Sequence, residues 1–242
     1  MAENKVKGVC DIVFLIDATG SMQPSIDDIK NNIKLFFRTL EQTDANGCAL
    51  VKEWRARVIG YRDPSADGAD WYVSNPFVKD AASVEAQLDA LQAKGGGDEP
   101  EGLLDALYKV ATWGNTDKGA QELDAEKWRY RSDAARCVIV FTDASFCEQT
   151  AIAEAPGLNW EDVANFAMQA RLRISLFAPQ MDCHDNLSQI DKCEYMAIPF
   201  DPSVKNDAVM KLRDFTADVA NFQKTLIQLA KTVSVSSQVD TL

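Results

Sequence analysis

The chain has 242 residues, of which 46% are hydrophobic, so it is long enough to bury one substantial core. It carries 37 acidic side chains against 25 basic ones, which gives a formal net charge of -12. This balance argues against nucleic acid and anionic membranes as partners, because both bind clustered cations. It suits divalent cations or basic protein surfaces.

The sequence contains no run of about 18 apolar residues, the length expected of a membrane span. Its first residues, MAENKVKGVCDIVF, show neither a separate apolar stretch nor a small-residue cleavage site. We therefore expect a cytoplasmic protein. The spacing of Cys183, His184 and Cys193 fits no usual zinc site, and a chain of this size needs no disulfides for stability.

Apolar runs alternate with amphipathic segments, the pattern of a mostly parallel sheet covered by helices on both faces. In chain order, the predicted strands are residues 9–16, 55–61, 70–77, 135–145, 173–179 and 196–200. The predicted helices are residues 24–40, 83–91, 103–111, 159–171 and 209–226. The fold class predicted is therefore α/β, a doubly wound sheet of about six strands with one antiparallel edge strand at residues 71–77.

The chain shows no internal repeat, low-complexity tract or linker, which predicts a single domain. We place this domain at residues 9–232, after an N-terminal extension at residues 1–8. Residues 233–242 have little to bury and are predicted to form a flexible C-terminal tail.

Acid and hydroxyl side chains follow the two most apolar strands, at the point where each strand ends. Asp17, Thr19 and Ser21 follow the first strand, and Thr142, Asp143 and Ser145 form the end of the strand at residues 135–145. Ligands of parallel sheets bind beyond the carboxyl ends of the strands, so these side chains converge if the two strands are neighbours. A set of oxygen ligands without sulfur or imidazole selects hard ions such as Mg²⁺, Mn²⁺ or Ca²⁺. The alternative is that Thr19 or Ser21 caps the helix that begins near residue 24.

The segments DIVFLIDATGSM, GYRD, GGGDEPEG and VIVFTDAS together resemble the von Willebrand factor type A (VWA) domain. The resemblance runs from about residue 9 to residue 229 and is strongest to the branch with D-x-T-G-S-M and G-G-G-D-x-P-E motifs. It implies a metal-ion-dependent adhesion site (MIDAS). On that pattern the hydroxyls of Thr19 and Ser21 ligate the metal directly, and Asp17 and Asp143 bind it directly or through water.

The loop GGGDEPEG departs from the family pattern, which more usually places a metal-ligating threonine there. Asp98 is a candidate to supply an oxygen in its place, and the alternative is that Asp98, Pro100 and Glu101 form a helix N-terminus of the capping-box type. Arg62 and Asp63 follow the strand predicted beside the first one. Arg62 either clamps a carboxylate of a partner or pairs internally with Asp63 or Asp98.

Trp160 opens a predicted helix after a long loop on the metal side, and it is the best candidate for an exposed partner contact. The alternative is that its ring packs onto the core. These candidates complete the predicted site, in which Asp17, Thr19, Ser21, Asp98 and Asp143 bind metal.

The predicted function is a metal-dependent protein-binding module, not an enzyme, that captures an Asp or Glu of a partner through Mg²⁺, Mn²⁺ or Ca²⁺. The resemblance implies a place in multi-component assemblies with an AAA+ ATPase, a kinase or a phosphatase. One alternative is a scaffold with the same fold whose binding needs no metal. The other is a Mg²⁺-dependent phosphatase-like hydrolase, which would need an acid where Thr19 stands and a lysine near Asp143. GGGDEPEG lacks the lysine of a phosphate-binding loop.

Overall fold

The computed structural model describes residues 8–42, 51–97 and 99–238. Its centre is a six-stranded sheet with the strand order β3-β2-β1-β4-β5-β6. The strands are β1 (Val9–Asp17), β2 (Glu53–Tyr61), β3 (Tyr72–Ser74), β4 (Ala135–Phe141), β5 (Leu172–Pro179) and β6 (Cys193–Ile198). Only β3 is antiparallel to its neighbour. The predicted fold class is confirmed, and the antiparallel edge strand is shorter than the predicted 71–77.

Helices cover both faces of the sheet. They are α1 (Gln23–Leu40), α2 (Pro64–Asp67), α3 (Ala81–Ala90), α4 (Leu103–Thr112), α5 (Trp160–Gln169), α6 (Asp182–Leu187), α7 (Asp207–Ala217) and α8 (Val219–Gln238). Helix α1 packs against α3, α7 and α8, which places these four on one face, and α4 packs against α5 on the other. None of the described helices is long and apolar enough to cross a membrane.

Strand β1 lies in the middle of the sheet, and its side chains alternate between two hydrophobic cores. Ile12 and Phe14 face the core under α1 and α8, whereas Val13 and Leu15 face the core under α4 and α5. A strand buried on both faces reads as a continuous apolar run, which explains why the sequence identified it so clearly. The order of the strands reverses between β1 and β4, and this places their carboxyl ends side by side.

The last helical segment differs from the prediction of one helix at residues 209–226. Two helices form instead, separated at Asp218. The carboxylate of Asp218 accepts a hydrogen bond from the backbone N–H of Asn221 and so caps α8. Helix α8 then continues to Gln238, because Leu229, Ala230 and Val233 are buried against the core. The segment predicted as a tail is therefore helical up to that residue.

Candidate functional site

The candidate site lies at the carboxyl ends of the three central strands. Asp17 ends β1 and lies opposite Tyr61, the last residue of β2, while Thr142 directly follows β4. Side chains alternate along a strand, so Asp17 lies on the same face as Leu15, two residues before it. This is also the face of Tyr61, the one covered by α4. The three residues therefore form a row across the sheet at its topological switch point.

Asp17 is completely buried and accepts hydrogen bonds on both carboxylate oxygens. Its Oδ1 accepts from the backbone N–H of Thr19 at 3.0 Å and from the Thr19 hydroxyl at 2.7 Å. Its Oδ2 accepts from the hydroxyl of Thr142 at 2.8 Å. The Oγ atoms of Thr19 and Ser21 lie 3.3 Å apart, and Ser21 is exposed to solvent. The first motif thus folds into a compact cluster of oxygen atoms with one open side.

The helix-capping alternative for the two hydroxyl residues is not what the structure shows. Thr19 precedes a short 3-10 turn at Gly20–Met22 and makes no side-chain cap, and α1 begins after Met22 without a side-chain cap either. The hydroxyl of Thr19 is turned toward Asp17 instead. Both hydroxyls are therefore oriented toward the acids and away from the helix.

Asp143 is 3% exposed and lies close enough to Ser21 for the serine hydroxyl to lower its pKa. Burial and the neighbouring charge of Asp17 act more strongly, and together they raise the pKa of Asp143 to about 7. Burial also raises the pKa of Asp17 itself. Asp17, Thr19, Ser21 and Asp143 are thus brought together, and the two carboxylates repel each other there.

Glu101 is a third acid at this site, although its sequence pattern predicts only a part in a helix N-terminus. Helix α4 in fact begins after Gly102 with no side-chain cap, and Glu101 is 5% exposed. Burial, followed by the charge of Asp17, raises the pKa of Glu101 to about 9. Because Glu101 directly follows Pro100, the sequence predicts the start of a helix there. Only the tertiary structure reveals that Glu101 lies beside Asp17.

The glycine loop before Glu101 passes very close to the first motif. Gly96 has a φ of +93°, and a Cβ atom added there would lie 2.5 Å from the Thr19 methyl group and 2.6 Å from Glu101 Oε1. Only glycine fits such a position. The N–H of Gly96 donates to Asp67 at 2.8 Å, which holds the loop down. Asp98, predicted as a metal ligand, lies outside the described residues.

Arg62 neither faces a partner nor pairs with Asp63, while its predicted pairing with Asp98 lies outside the described residues. It is 1% exposed and donates to the backbone carbonyls of Ala18 at 2.9 Å, Gln92 at 2.7 Å and Asp70. Three of the five N–H groups of this buried guanidinium, one on each nitrogen, thus find a carbonyl acceptor. The Asp63 carboxylate instead caps α2 by accepting from Ser65 N–H at 2.8 Å.

Trp160 is half-buried and packs against the core under α4, while its remaining surface lines a groove of about 470 Å³. The groove begins at Phe146, on the loop that follows Asp143. Its lining residues are Phe146, Glu148, Gln149, Asn159, Trp160, Glu161, Cys183 and Asn186. An aromatic surface with exposed carboxylates at its rim thus adjoins the acid cluster.

The donor set fits a hard metal ion in its chemistry. It combines two carboxylates with two hydroxyls, and Asp143 Oδ1 is buried without a hydrogen-bond partner among the described groups. Within residues 8–42, 51–97 and 99–238, no group of three or more His, Cys, Asp or Glu side chains is arranged to hold a metal. A complete shell would therefore have to include the hydroxyls and water.

Residues 11–115 match the family model described as von Willebrand factor A domain. The matched span runs from β1 through α4 and contains Asp17, Thr19 and Ser21, but it ends before Asp143. This match supports a VWA domain in the chain.

Solved structures also align with this chain. The pilus adhesin SpaC from Lactobacillus rhamnosus GG aligns at 15% identity with a TM-score of 0.48, covering 91% of this chain and 31% of its own. Two structures of proximal thread matrix protein 1 from the mussel byssus align at 14% and 15% identity, with TM-scores of 0.50 and 0.51. Both cover 90% of this chain, which spans 46% and 47% of their lengths. No curated protein matches the chain.

Proposed function

We propose that this protein is a metal-dependent protein-binding module. The observation that carries the proposal is the cluster at the ends of β1 and β4, where Asp17, Thr19, Ser21 and Asp143 meet. Two buried carboxylates repel each other there, and neither forms an ion pair with a described residue. A divalent cation supplies the missing positive charge.

Each residue of such a site would have its own role. Asp17 and Asp143 contribute charge, Thr19 orients its hydroxyl through its bond to Asp17, and Ser21 lies at the solvent-exposed side. A bound Mg²⁺ or Mn²⁺ ion would retain an open coordination position, which attracts an Asp or Glu carboxylate of a partner protein. Ca²⁺ also suits an oxygen donor set.

The proposal assigns the site to binding and not to catalysis. The one histidine of the chain, His184, is buried, its Nδ1 lies 2.9 Å from the carbonyl oxygen of Pro179, and burial lowers its pKa. His184 therefore does not serve Ser21 as a base, and the acid nearest to the Ser21 hydroxyl, Asp143, is assigned here to the metal. A phosphatase-like hydrolase would also need an acid at the position of Thr19, whose hydroxyl instead bonds Asp17.

The partner is proposed to be a protein, within a multi-component assembly that contains an AAA+ ATPase, a kinase or a phosphatase. The net charge of -12 disfavours nucleic acid and membrane surfaces. The described cysteines, Cys10, Cys137, Cys147, Cys183 and Cys193, carry free thiols, which is typical of a reducing compartment and supports a cytoplasmic location. The groove at Trp160 lies on the loop side of the acid cluster and is the proposed second contact with the partner.

Isothermal titration with MgCl₂ tests the proposal, using the wild type and Asp143→Asn. Asp89→Asn is a matched control, because Asp89 is an exposed aspartate at the end of α3. We expect saturable Mg²⁺ binding in the wild type and the control, and none in Asp143→Asn. Equal binding by all three proteins would mean that the ion binds elsewhere on this acidic surface.

Capture of a partner from a cell extract then separates the metal-dependent module from the metal-independent scaffold. Capture by the wild type should be lost in EDTA and in Ser21→Ala. Capture that persists undiminished in EDTA would favour the scaffold. Mg²⁺-dependent phosphate release from a model ester, lost in Asp17→Asn, would favour the hydrolase.

A further inference from the structure

Three buried polar atoms without a hydrogen-bond partner among the described groups surround the acid cluster. They are Tyr61 Oη, which lies near the Thr142 hydroxyl but outside good hydrogen-bond geometry, Glu101 Oε2 and Asp143 Oδ1. Buried polar atoms are nearly always satisfied, because an unpaired one loses its hydrogen bonds to water without replacement. Three of them in one place indicate that water or an ion belongs to this part of the protein.

Tyr61 reaches the cluster from β2. Its residue lies directly opposite Asp17 in the register of the two strands, and its side chain is on the same face. The backbone is fixed at this point, because Ala18 N–H donates to the carbonyl of Tyr61 at 2.8 Å. The phenol is completely buried, so the surrounding core holds it in place beside Asp17.

Glu101 reaches the cluster from the opposite side. Its Oε1 and the Thr19 side chain both lie against the Cβ position of Gly96, so the two side chains are close neighbours. Its backbone is bonded to the loop that carries Asp143, through Glu101 N–H to Ser145 O and Cys147 N–H to Glu101 O, each at 2.9 Å. Glu101 is thus fixed between the two motifs of the proposed metal site.

We propose that Glu101 and Tyr61 hold water molecules of the hydrated ion and so form an outer layer of ligands around the metal. This inference rests on the proposed metal site. Mg²⁺ gives up its waters reluctantly, so a site with few direct protein ligands needs groups that bind the waters it keeps. A carboxylate accepts hydrogen bonds from such waters, and a phenol both donates and accepts. The assignment accounts for two unpartnered atoms that direct ligation by the first motif leaves unexplained.

Titration calorimetry with MgCl₂ alone tests the assignment in Glu101→Gln and Tyr61→Phe, which both preserve side-chain shape. Glu148→Gln is the matched charge control, since Glu148 is exposed on the loop that carries Asp143. Tyr72→Phe is the matched phenol control, because the Tyr72 hydroxyl is also buried and unpartnered but lies on β3. We expect the Kd for Mg²⁺ to rise about tenfold or more in Glu101→Gln and several-fold in Tyr61→Phe, and to stay unchanged in both controls.

Urea unfolding of the metal-free variants separates a role in positioning from a role in folding. Both variants should be at least as stable as the wild type without metal, because Tyr61→Phe removes a buried hydroxyl without a partner and Glu101→Gln removes a buried acid that its acidic neighbours repel. Weaker Mg²⁺ binding together with a matching loss of metal-free stability would overturn the inference.

An unchanged Kd in both variants would also overturn it. If Asp143→Asn loses Mg²⁺ binding while both variants bind like the wild type, this inference alone fails. If Asp143→Asn binds Mg²⁺ as tightly as the wild type, the proposed metal site fails and the inference fails with it.

Discussion

Strand β1 carries two completely buried aspartates, one near each end, and their surroundings are opposite. Asp11 accepts from Arg55 Nε and Nη2, each at 2.8 Å, and from Arg129 Nη1 at 2.9 Å and Arg129 N–H at 2.7 Å. Asp17 accepts only from hydroxyl and backbone groups and faces Asp143 and Glu101. A buried carboxylate that is fully paired serves the fold, and one that lacks a counter-ion is available to a ligand.

The whole amino end of the sheet is built around such pairing. The Arg55 guanidinium lies 4.2 Å from the ring centroid of Phe77, and that of Arg57 lies 4.2 Å from the ring centroid of Trp113. The segment between α4 and β4 supplies Arg129, which also pairs with Glu53. Cations, rings and carboxylates are packed together here, so this end is closed by protein while the carboxyl end is left with excess negative charge.

The largest effect should come from breaking the paired end. Asp11→Asn leaves the buried guanidiniums of Arg55 and Arg129 without their counter-ion and should lower the free energy of unfolding by about 3–5 kcal/mol. Urea unfolding measures this loss, with Asp17→Asn on the same strand as the control. A loss of less than about 1 kcal/mol in Asp11→Asn would show that the ion pairs of Asp11 do not stabilise the fold.

The second effect concerns the ligand at the unpaired end. Mg²⁺ at about 100 times its Kd should raise the unfolding free energy of the wild type by about 2.7 kcal/mol through mass action. Thermal melts with and without Mg²⁺ should differ in the wild type and coincide in Asp17→Asn. An equal response in the variant would place the stabilising ion at another site.

The third prediction is that the metal-free protein gains stability when one repelling acid is neutralised. Asp143→Asn should raise its unfolding free energy at pH 7 by about 2 kcal/mol. The sign follows from the pKa of Asp143, which is raised from 3.8 to about 7 in the folded state. The folded state therefore binds more protons between these values, and stability falls as the pH rises from about 4 to 7.

Urea unfolding across this pH range measures the contribution as the difference between the wild type and Asp143→Asn. The difference should be largest at pH 7 and above and shrink toward pH 4. A difference that is independent of pH would show that the carboxylate is ionised in the fold throughout.

The smallest effect should be at the ring contacts of the paired end. Arg57→Lys keeps the charge but loses the planar contact with Trp113 and part of the bonding to Ser74 and Glu126, at a cost of about 1 kcal/mol. The Kd for Mg²⁺ should not change, because Arg57 lies in the middle of β2 and its hydrogen bonds go to Ser74 and Glu126, not to the acid cluster. A change in Mg²⁺ affinity would mean that this part of β2 is coupled to the acid cluster.

By itself, the sequence determined the elements that depend on local pattern. Strands β1 and β4 are nearly continuous apolar runs, and α1 shows its buried face every three or four residues, so none of them needed tertiary information. The first motif and the Thr142–Asp143 strand end were recognisable because the carboxyl ends of neighbouring parallel strands meet. That rule brought Asp17, Thr19, Ser21 and Asp143 to one place, as the structure has them.

Only the tertiary structure decided which partner each long polar side chain takes. Arg62 has the same sequence context as a surface clamp, yet three carbonyls from separate segments enclose it. The sequence predicts a helix start at Glu101 and an ordinary strand residue at Tyr61, whereas in the structure both are buried beside the acid cluster. Such contacts depend on where segments far apart in sequence come together, and the periodicity of one segment carries no information about another.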